Sequence, residues 1–297
     1  MKRKVLTRRD FLRAAAVTPL AGALASAVKL PAPSESETRS RVVLVRDAKA
    51  LVSFKRPDAD IIQAMLDSAV TKLFDVRDPV EAWKKIIKPS DVVGIKSNVY
   101  GYLPTTREVE QAIKRRVMDA GVEEDHIGID DRNVRRHPVF KRATAFINAR
   151  PARTHHWSGL GTCIKNYIMF VPRPSAYHAD SCADLGSIWN DYKLKEKTRL
   201  NILVMLNPQF HTVGPHSYSD KYVWEYKGLL VSQDPVAVDV TGLKIIQAKR
   251  LEYFGEQRPM GTPAKHIRMA DERHNLGHSD PAKIELIKFG WKDGILI

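Results

Sequence analysis

The chain has 297 residues, enough for one large domain or two small ones, and its hydrophobic content of 43% is ordinary for a globular protein. Its formal net charge of +14 is compatible with nucleic acid, an anionic lipid or an acidic ligand as partner. The basic residues are scattered and form no stripe interleaved with aromatic residues, which argues against nucleic-acid binding.

The first 27 residues have the layout of an export signal. The segment "TRRDFLR" (Thr7–Arg13) precedes a mildly apolar stretch, Ala14–Val28, and small residues follow at Ala25–Ala27. This order resembles a twin-arginine export signal, which implies passage of the folded chain through the twin-arginine translocase, cleavage after Ala27 and a periplasmic location. The alternative is a basic amphipathic helix at a domain edge. No other stretch approaches 18 apolar residues, so we expect no stable membrane span in the mature chain.

Residues 28–40 are rich in Pro, Ser and Glu, as in "LPAPSESETRS", and are typical of a flexible linker. The rest of the chain, residues 41–297, is predicted to form a single α/β domain. Its first half alternates strands and helices: strands at Arg41–Asp47, Asp91–Asn98 and His126–Asp131, and helices over 58–74 and 106–121. This rhythm predicts a mostly parallel, doubly wound sheet with helices on both faces.

The middle region is irregular. We expect strands at Asn166–Pro172 and Arg199–Pro208, a strand from Gly228 that turns at Asp234 into a helix, and a late strand in "KIELIKFGW". Asp234 followed by proline is typical of a helix N-cap, while Asp239 lies inside the helix and can support a ligand. Both aspartates are also candidate residues of a cofactor site at the strand ends.

Polar residues follow the predicted strands where parallel sheets bind ligands. Lys96 and Asn98 lie two residues apart at the end of a strand and can bind a carboxylate or phosphate; the alternative is an ordinary turn. The stretch "GLGTCIKN" offers Gly159, Gly161 and Asn166 as an anion cradle, or else forms a tight turn before a strand. Lys165 can contact an anion or form a covalent adduct, unless it is a solvated surface lysine.

Histidines and cysteines in the middle of the chain are candidate ligands for a transition metal. The candidates are His155, His156, His178, His211, His216, Cys163 and Cys182. Their spacings match no standard metal motif, and the alternative is surface or hydrogen-bonded core histidines. The two cysteines can also form a disulfide or remain free. Two thiolates are too few for a four-iron cluster, so the sequence argues against an iron–sulfur centre.

Several of these segments, in this order, resemble the domain-of-unknown-function 362 family. The matching pieces are "VVGIKSN", "IGIDD", "GLGTCIKNY", "GLLVSQDPVAVD" and "HNLGHSDPAKIELI", which together span most of residues 41–290. The resemblance implies an α/β fold and a site at the strand ends, but the reaction of the family is largely undefined. Many relatives carry ferredoxin-like cysteine runs, which this chain lacks.

A second resemblance concerns His155, Gly159 and Lys165, which have the spacing of a segment in the lactate racemase family. The resemblance implies that His155 is an acid/base residue, that Lys165 anchors a nickel-pincer nucleotide and that His178 is a metal ligand. The chain departs from the pattern because Cys163 stands where the family has a glycine.

These observations lead to three functional hypotheses. The first is an exported protein that binds a metal, a cofactor or a small anionic ligand at the strand ends, with His155 and Lys165 in acid/base chemistry. The second is a non-catalytic periplasmic binding or accessory protein. The third is a lactate-racemase-like nickel-pincer enzyme.

Overall fold

The computed structural model describes residues 39–212 and 217–297. The predicted signal peptide, almost all of the predicted linker and the metal candidate His216 lie outside the described residues. Within them, no helix combines the length and the apolar character needed to span a bilayer.

A mostly parallel sheet forms the centre of the described residues. Its main strands are β1 (Ser40–Arg46), β4 (Val93–Lys96), β5 (Ile127–Asp130), β6 (Ala145–His155), β8 (Thr198–Gln209), β9 (Gly228–Ser232) and β10 (Ile284–Gly290), in the spatial order β10-β1-β9-β8-β6-β4-β5. Two short additions are β7 (Gly159–Gly161), which pairs with β6, and a separate hairpin of β2 (Leu51–Ser53) and β3 (Arg56–Pro57). Neighbours along the main path are parallel except at β9, which is antiparallel to both β1 and β8.

Helices cover both faces of this sheet, as predicted. They are α1 (Ala59–Phe74), α2 (Pro79–Lys84), α3 (Arg107–Asp119), α4 (Pro138–Arg142), α5 (Cys163–Asn166), α6 (Leu185–Asp191), α7 (Leu194–Lys197), α8 (Pro235–Phe254) and α9 (Lys265–Glu272). Alternate residues of β1 show the two faces: Val43 and Val45 belong to the core cluster that includes α1 and α3, whereas Val42 and Leu44 belong to the cluster that includes α8. The prediction of a mostly parallel α/β fold is therefore confirmed.

The predicted strand at Asn166–Pro172 is wrong. Asn166 ends α5, and Tyr167–Phe170 form a 3₁₀ turn. The ring of Tyr167 stacks on Trp189 with ring centroids 4.2 Å apart, and Phe170 meets Phe146 edge-on. A short apolar run buried on all sides carries no readable period, so sequence alone could not separate a strand from this turn.

Strand β6 was not anticipated from the sequence. All 11 of its residues are buried, but Pro151 lies in its middle, and proline usually argues against a central strand. The pairing register between β6 and β8 breaks between Pro151 and Arg153. The proline is therefore accommodated at an irregularity, which is one of the few places where an inner strand accepts it.

Parallel pairing brings three strand ends together. Lys96, the last residue of β4, is paired with Asp130 of β5 on one side and with Asn148 of β6 on the other. The polar residues that follow β4 and β5 therefore meet the second half of β6 at one edge of the sheet, where ligands bind in such folds.

Candidate functional site

A closed polar network surrounds Lys96. Its Nζ atom donates to the Ser97 carbonyl at 2.7 Å, to Asp131 Oδ1 at 2.5 Å and to Asn166 Oδ1 at 3.4 Å. The second oxygen of Asp131 accepts the amide of Val99 at 2.9 Å. All three ammonium protons of this fully buried lysine thus have partners, so the network holds the ends of β4 and β5 together.

Burial and ion pairing have opposite effects on the pKa values of Lys96 and Asp131. Burial lowers the pKa of Lys96 to about 8, and the attraction of Asp131 limits that fall. Burial alone would raise the pKa of Asp131, but the charge and hydrogen bond of Lys96, with the Val99 amide, bring it below its usual value. The two groups form an ion pair at neutral pH, whose charges offset one another.

Two arginines of β6 lie beside this network. Arg150 and Arg153 are three residues apart, a spacing that would place them on opposite faces of a regular strand. The register irregularity after Pro151 changes the alternation, and both side chains face the same cavity, together with His155. The irregular strand therefore concentrates positive charge on one face.

Neither arginine has an anionic partner. Only 3% of Arg150 and 4% of Arg153 is exposed, and among the described residues the ion pairs involve neither of them. The Nε atoms of both lack a hydrogen-bond partner. Arg153 Nη1 donates to Asn98 Oδ1 at 3.0 Å, and its guanidinium lies 4.2 Å from the ring centre of Tyr100. Burial accordingly lowers the pKa of both arginines.

These side chains line a cavity of about 250 Å³, which we call the arginine pocket. Its walls are formed by Asn98, Tyr100, Asp131, Arg132, Arg150, Arg153, His155, Trp157, Lys165, Asn166, Ile168, Met169, Pro174 and His178. Because Asp131 is already paired with Lys96, the pocket presents buried positive charge without an equal negative charge. Buried positive charge of this kind costs free energy unless it has a counter-ion, and an anion in the cavity would offset that cost.

Asp239 stabilises the turn that carries Lys165 by accepting hydrogen bonds from the start of α5. This fully buried carboxylate of α8 accepts Thr162 Oγ1 at 2.6 Å and the amides of Cys163 and Ile164, both at 2.9 Å. Burial raises its pKa to about 7, although these hydrogen bonds oppose the rise. Asp239, a predicted ligand-binding residue, thus contacts the start of α5 and is not among the residues that line the cavity.

Two glycines, Gly159 and Gly161, allow the backbone of β7 to lie close to Thr262 and to the side chain of Arg150. Gly159 has a φ of +69°, and a Cβ atom on it would lie 2.2 Å from the Thr262 carbonyl oxygen. A Cβ on Gly161 would lie 2.6 Å from Arg150 Nη2. Gly159 therefore shapes the β7 turn, and Gly161 leaves room for the guanidinium of Arg150.

Lys165 is buried and nearly without polar partners. It is 3% exposed, and its Nζ atom contacts Cys182 Sγ at 3.7 Å. Cys182 ends a left-handed turn, Ala179–Cys182, in which Asp180, Ser181 and Cys182 all have positive φ. Burial lowers the pKa of Lys165 to about 8, with Arg150 and Arg153 contributing, while Cys182 opposes the shift.

The histidines of the pocket are neutral at physiological pH. His155 Nδ1 accepts the Trp157 amide at 3.2 Å, which leaves its ring proton on Nε2. Burial, followed by the charges of Lys165 and the two arginines, lowers the pKa of His155 far below its usual value. His178 stacks on Trp157 at 4.1 Å, and burial lowers its pKa to about 4.

The other metal candidates among the described residues are His156, His211, Cys163 and Cys182. His156 is exposed, and His211 contacts Arg250 Nη1 through Nδ1 at 3.1 Å and meets the ring of Tyr222. Cys163 and Cys182 are buried free thiols, and burial raises the pKa of both. In residues 39–212 and 217–297, no group of three or more His, Cys, Asp or Glu side chains is arranged to hold a metal ion. Metal binding therefore stays a prediction.

Asp234 lies in a different part of the structure. It caps α8 by accepting the amides of Val236 and Ala237, and it also accepts Ser40 Oγ at 2.5 Å and the amide of His278 at 2.8 Å. Its predicted role as an N-cap is confirmed. It lines a separate open cavity and does not line the arginine pocket.

The arginine pocket thus unites many of the predicted residues and adds others. The predicted residues that line it are Asn98, His155, Lys165, Asn166 and His178, with Lys96 directly behind them. Sequence reasoning missed Arg150, Arg153 and Tyr100. The segment of the two arginines, "AFINARPARTHH", continues an apolar run into these arginines on either side of Pro151 and Ala152, and the proline argues against a strand.

Comparisons with known proteins extend this description. No curated protein and no solved structure matches the chain. A family model described as "Domain of unknown function (DUF362)" matches residues 100–244, a span that contains β5 to β9 and most of the lining of the arginine pocket. The match over residues 100–244 supports the DUF362 domain family for this part of the chain.

Proposed function

We propose that the protein binds a small organic anion in the arginine pocket. The observation that carries this proposal is the group of three buried cations, Arg150, Arg153 and Lys165, none of which has an ion-pair partner among the described residues. Proteins rarely bury charge without a partner, because an uncompensated buried charge costs several kcal/mol. A bound anion is the simplest source of the missing charge.

The walls of the pocket favour a short organic acid with a carboxylate. Planar guanidinium groups match the geometry of a carboxylate through paired hydrogen bonds, and two of them converge on a cavity of about 250 Å³. The remaining walls are apolar or aromatic at Ile168, Met169 and Trp157, so a few carbon atoms can accompany the acid. His155 can donate from Nε2 to a further oxygen of the ligand.

Isothermal titration calorimetry tests this proposal with acetate, 2-hydroxybutyrate and inorganic phosphate as probes. We expect 2-hydroxybutyrate to bind to the wild type. Affinity should fall roughly ten- to hundredfold in Arg150→Met and Arg153→Met, since a hydrogen bond to a charged group contributes about 1.5–3 kcal/mol. Arg135→Gln is the control, because it removes one positive charge from an exposed position outside the pocket. Binding that is absent in all proteins, or equal in all of them, would overturn the proposal.

We also propose that the chain is exported. The support is the sequence of residues 1–27, with Arg8 and Arg9 ahead of an apolar stretch that ends in "ASA". Expression with this segment intact should give a protein outside the cytoplasm whose first residue follows Ala27 or a near neighbour. Changing Arg8 and Arg9 to Lys should retain the precursor in the cytoplasm. N-terminal sequencing of the fractionated protein distinguishes these outcomes, and an uncut chain in both cases would contradict export.

A further inference from the structure

We propose that Lys165 is a catalytic residue whose side-chain amine forms an imine with the carbonyl carbon of a 2-oxo acid held in the arginine pocket. This inference rests on the proposed anion binding, because the two arginines must hold the carboxylate. It names both a reacting atom, Lys165 Nζ, and a class of substrate.

The first argument is the contrast between two buried lysines. Lys96 Nζ has three oxygen partners, including a carboxylate. Lys165 Nζ contacts a thiol sulfur at 3.7 Å and has no carboxylate partner among the described residues, and Lys165 is one of the residues that line the cavity. An amine with three good acceptors is held in place, whereas Lys165 Nζ is available to a molecule in the pocket.

The second argument concerns the charge of the amine. A lysine attacks a carbonyl only as the neutral amine, and nearby cations together with burial favour that form. The charged or titratable groups that face Lys165 are Arg150, Arg153, His155, His178, Cys182 and His266. None of them is a carboxylate. The pKa of Lys165 is accordingly lowered to about 8, so a substantial fraction of the amine is neutral near that pH.

The third argument is the position of the carbonyl. Arg150 and Arg153 bind the carboxylate, and in a 2-oxo acid the carbonyl carbon is its immediate neighbour. A cavity of about 250 Å³ therefore holds the carboxylate near the arginines and the carbonyl near Lys165, with His155 Nε2 as a hydrogen-bond donor to the carbonyl oxygen. Cys182 is the weaker nucleophile at neutral pH, since burial raises the pKa of its thiol.

The step balances without any redox partner. The lone pair of Nζ forms a bond to the carbonyl carbon, and the carbonyl oxygen takes up a proton to give a carbinolamine. The C–O bond then breaks, and the oxygen leaves as one water with both former amine protons. The products are a C=N bond between Lys165 and the substrate and one molecule of water.

Borohydride reduction provides the test, because it converts an imine into a stable amine. The folded wild-type protein is incubated with 2-oxobutyrate and sodium borohydride, and the modified lysine is found by peptide mapping. We expect one adduct, on Lys165, with Lys96 unmodified in the same sample as the internal control. The adduct yield should rise between pH 7 and pH 9 as Lys165 loses its proton, and 2-hydroxybutyrate, which has no ketone group, should give no adduct.

Calorimetry on the same proteins separates the two proposals. Binding of 2-hydroxybutyrate without an adduct from 2-oxobutyrate would overturn the imine and leave anion binding intact. Absence of both would overturn both. Adducts spread over exposed lysines, or an undiminished adduct in Lys165→Arg, would also overturn the imine. Because the mapping uses the wild type, the test stands even where Lys165→Arg fails to fold.

Discussion

Two groups of buried charge lie side by side where β4 and β5 end next to the second half of β6, and they differ in how the charge is compensated. Around Lys96, an ammonium group, a carboxylate and an amide satisfy one another. In the arginine pocket, Arg150 and Lys165 are equally buried but have no carboxylate partner among the described residues. Both lysines have a pKa of about 8, so the pKa alone does not distinguish them.

The difference separates charge that maintains the fold from charge that binds a ligand. The Lys96 network supplies its own counter-ion and joins two strand ends. The positive charge of the arginine pocket has no counter-ion among the described residues. The pocket lies at the carboxyl edge of the sheet, where ligands bind in α/β folds. Asn98 and Asn166 belong to both, since they hydrogen-bond within the network and also line the pocket. The network therefore also positions the pocket.

The largest expected effect comes from breaking the compensated pair. Asp131→Asn should lower the free energy of unfolding by about 3–5 kcal/mol, because it leaves the Lys96 ammonium buried without its counter-ion. Urea denaturation measures this change. Glu124→Gln is the matched control: it removes the carboxylate partner of Lys114 in an exposed pair and should cost at most about 1 kcal/mol. Equal losses in the two variants would remove the distinction between the network and an ordinary ion pair.

The histidines of the pocket predict a loss of stability in acid. The folded pKa of His155 and of His178 lies below the ordinary value near 6.5, so the unfolded chain binds more protons as the pH falls below about 6.5. These histidines therefore lower the free energy of unfolding from pH 7 to pH 5, whereas the raised pKa of Asp239 acts in the opposite direction. Relative to the wild type, His155→Gln should become more stable as the pH falls over this range, because its contribution to the acid loss is removed. A variant with the wild-type slope would show that His155 is not held neutral by the fold.

We expect Gly161→Ala to change stability less than the preceding substitutions do, but to weaken anion binding clearly. The added Cβ in Gly161→Ala would press on the end of a long side chain, Arg150 Nη2, which can move aside. We expect a loss of about 1 kcal/mol or less in stability and roughly tenfold weaker anion binding, as the guanidinium loses its position. Gly101→Ala, where a Cβ meets nothing within 4 Å, should change neither quantity. Unaltered binding in Gly161→Ala would argue against a role for Arg150.

The sequence predicts most of the sheet but only part of the pocket. Lys96, Asn98 and Lys165 could be found because each follows a recognisable strand or a glycine-rich turn, where ligands bind in α/β folds. Arg150 and Arg153 could not be found in this way. Pro151 between them argues against a strand, and residues three apart in a regular strand lie on opposite faces of the sheet. Only the irregular pairing with β8 brings both onto one face, and that pairing depends on residues far away in the chain.

The measurement that tests the central claim most directly compares the unfolding of the wild type and Arg150→Met, with and without 2-hydroxybutyrate. Without the anion, Arg150→Met should be at least as stable as the wild type, since a buried unpaired charge is replaced by an apolar side chain. With the anion at a hundredfold excess over its Kd, the wild type should gain about 2.7 kcal/mol and the variant much less. A variant that is strongly destabilised without anion, and that gains as much from it as the wild type, would contradict the account.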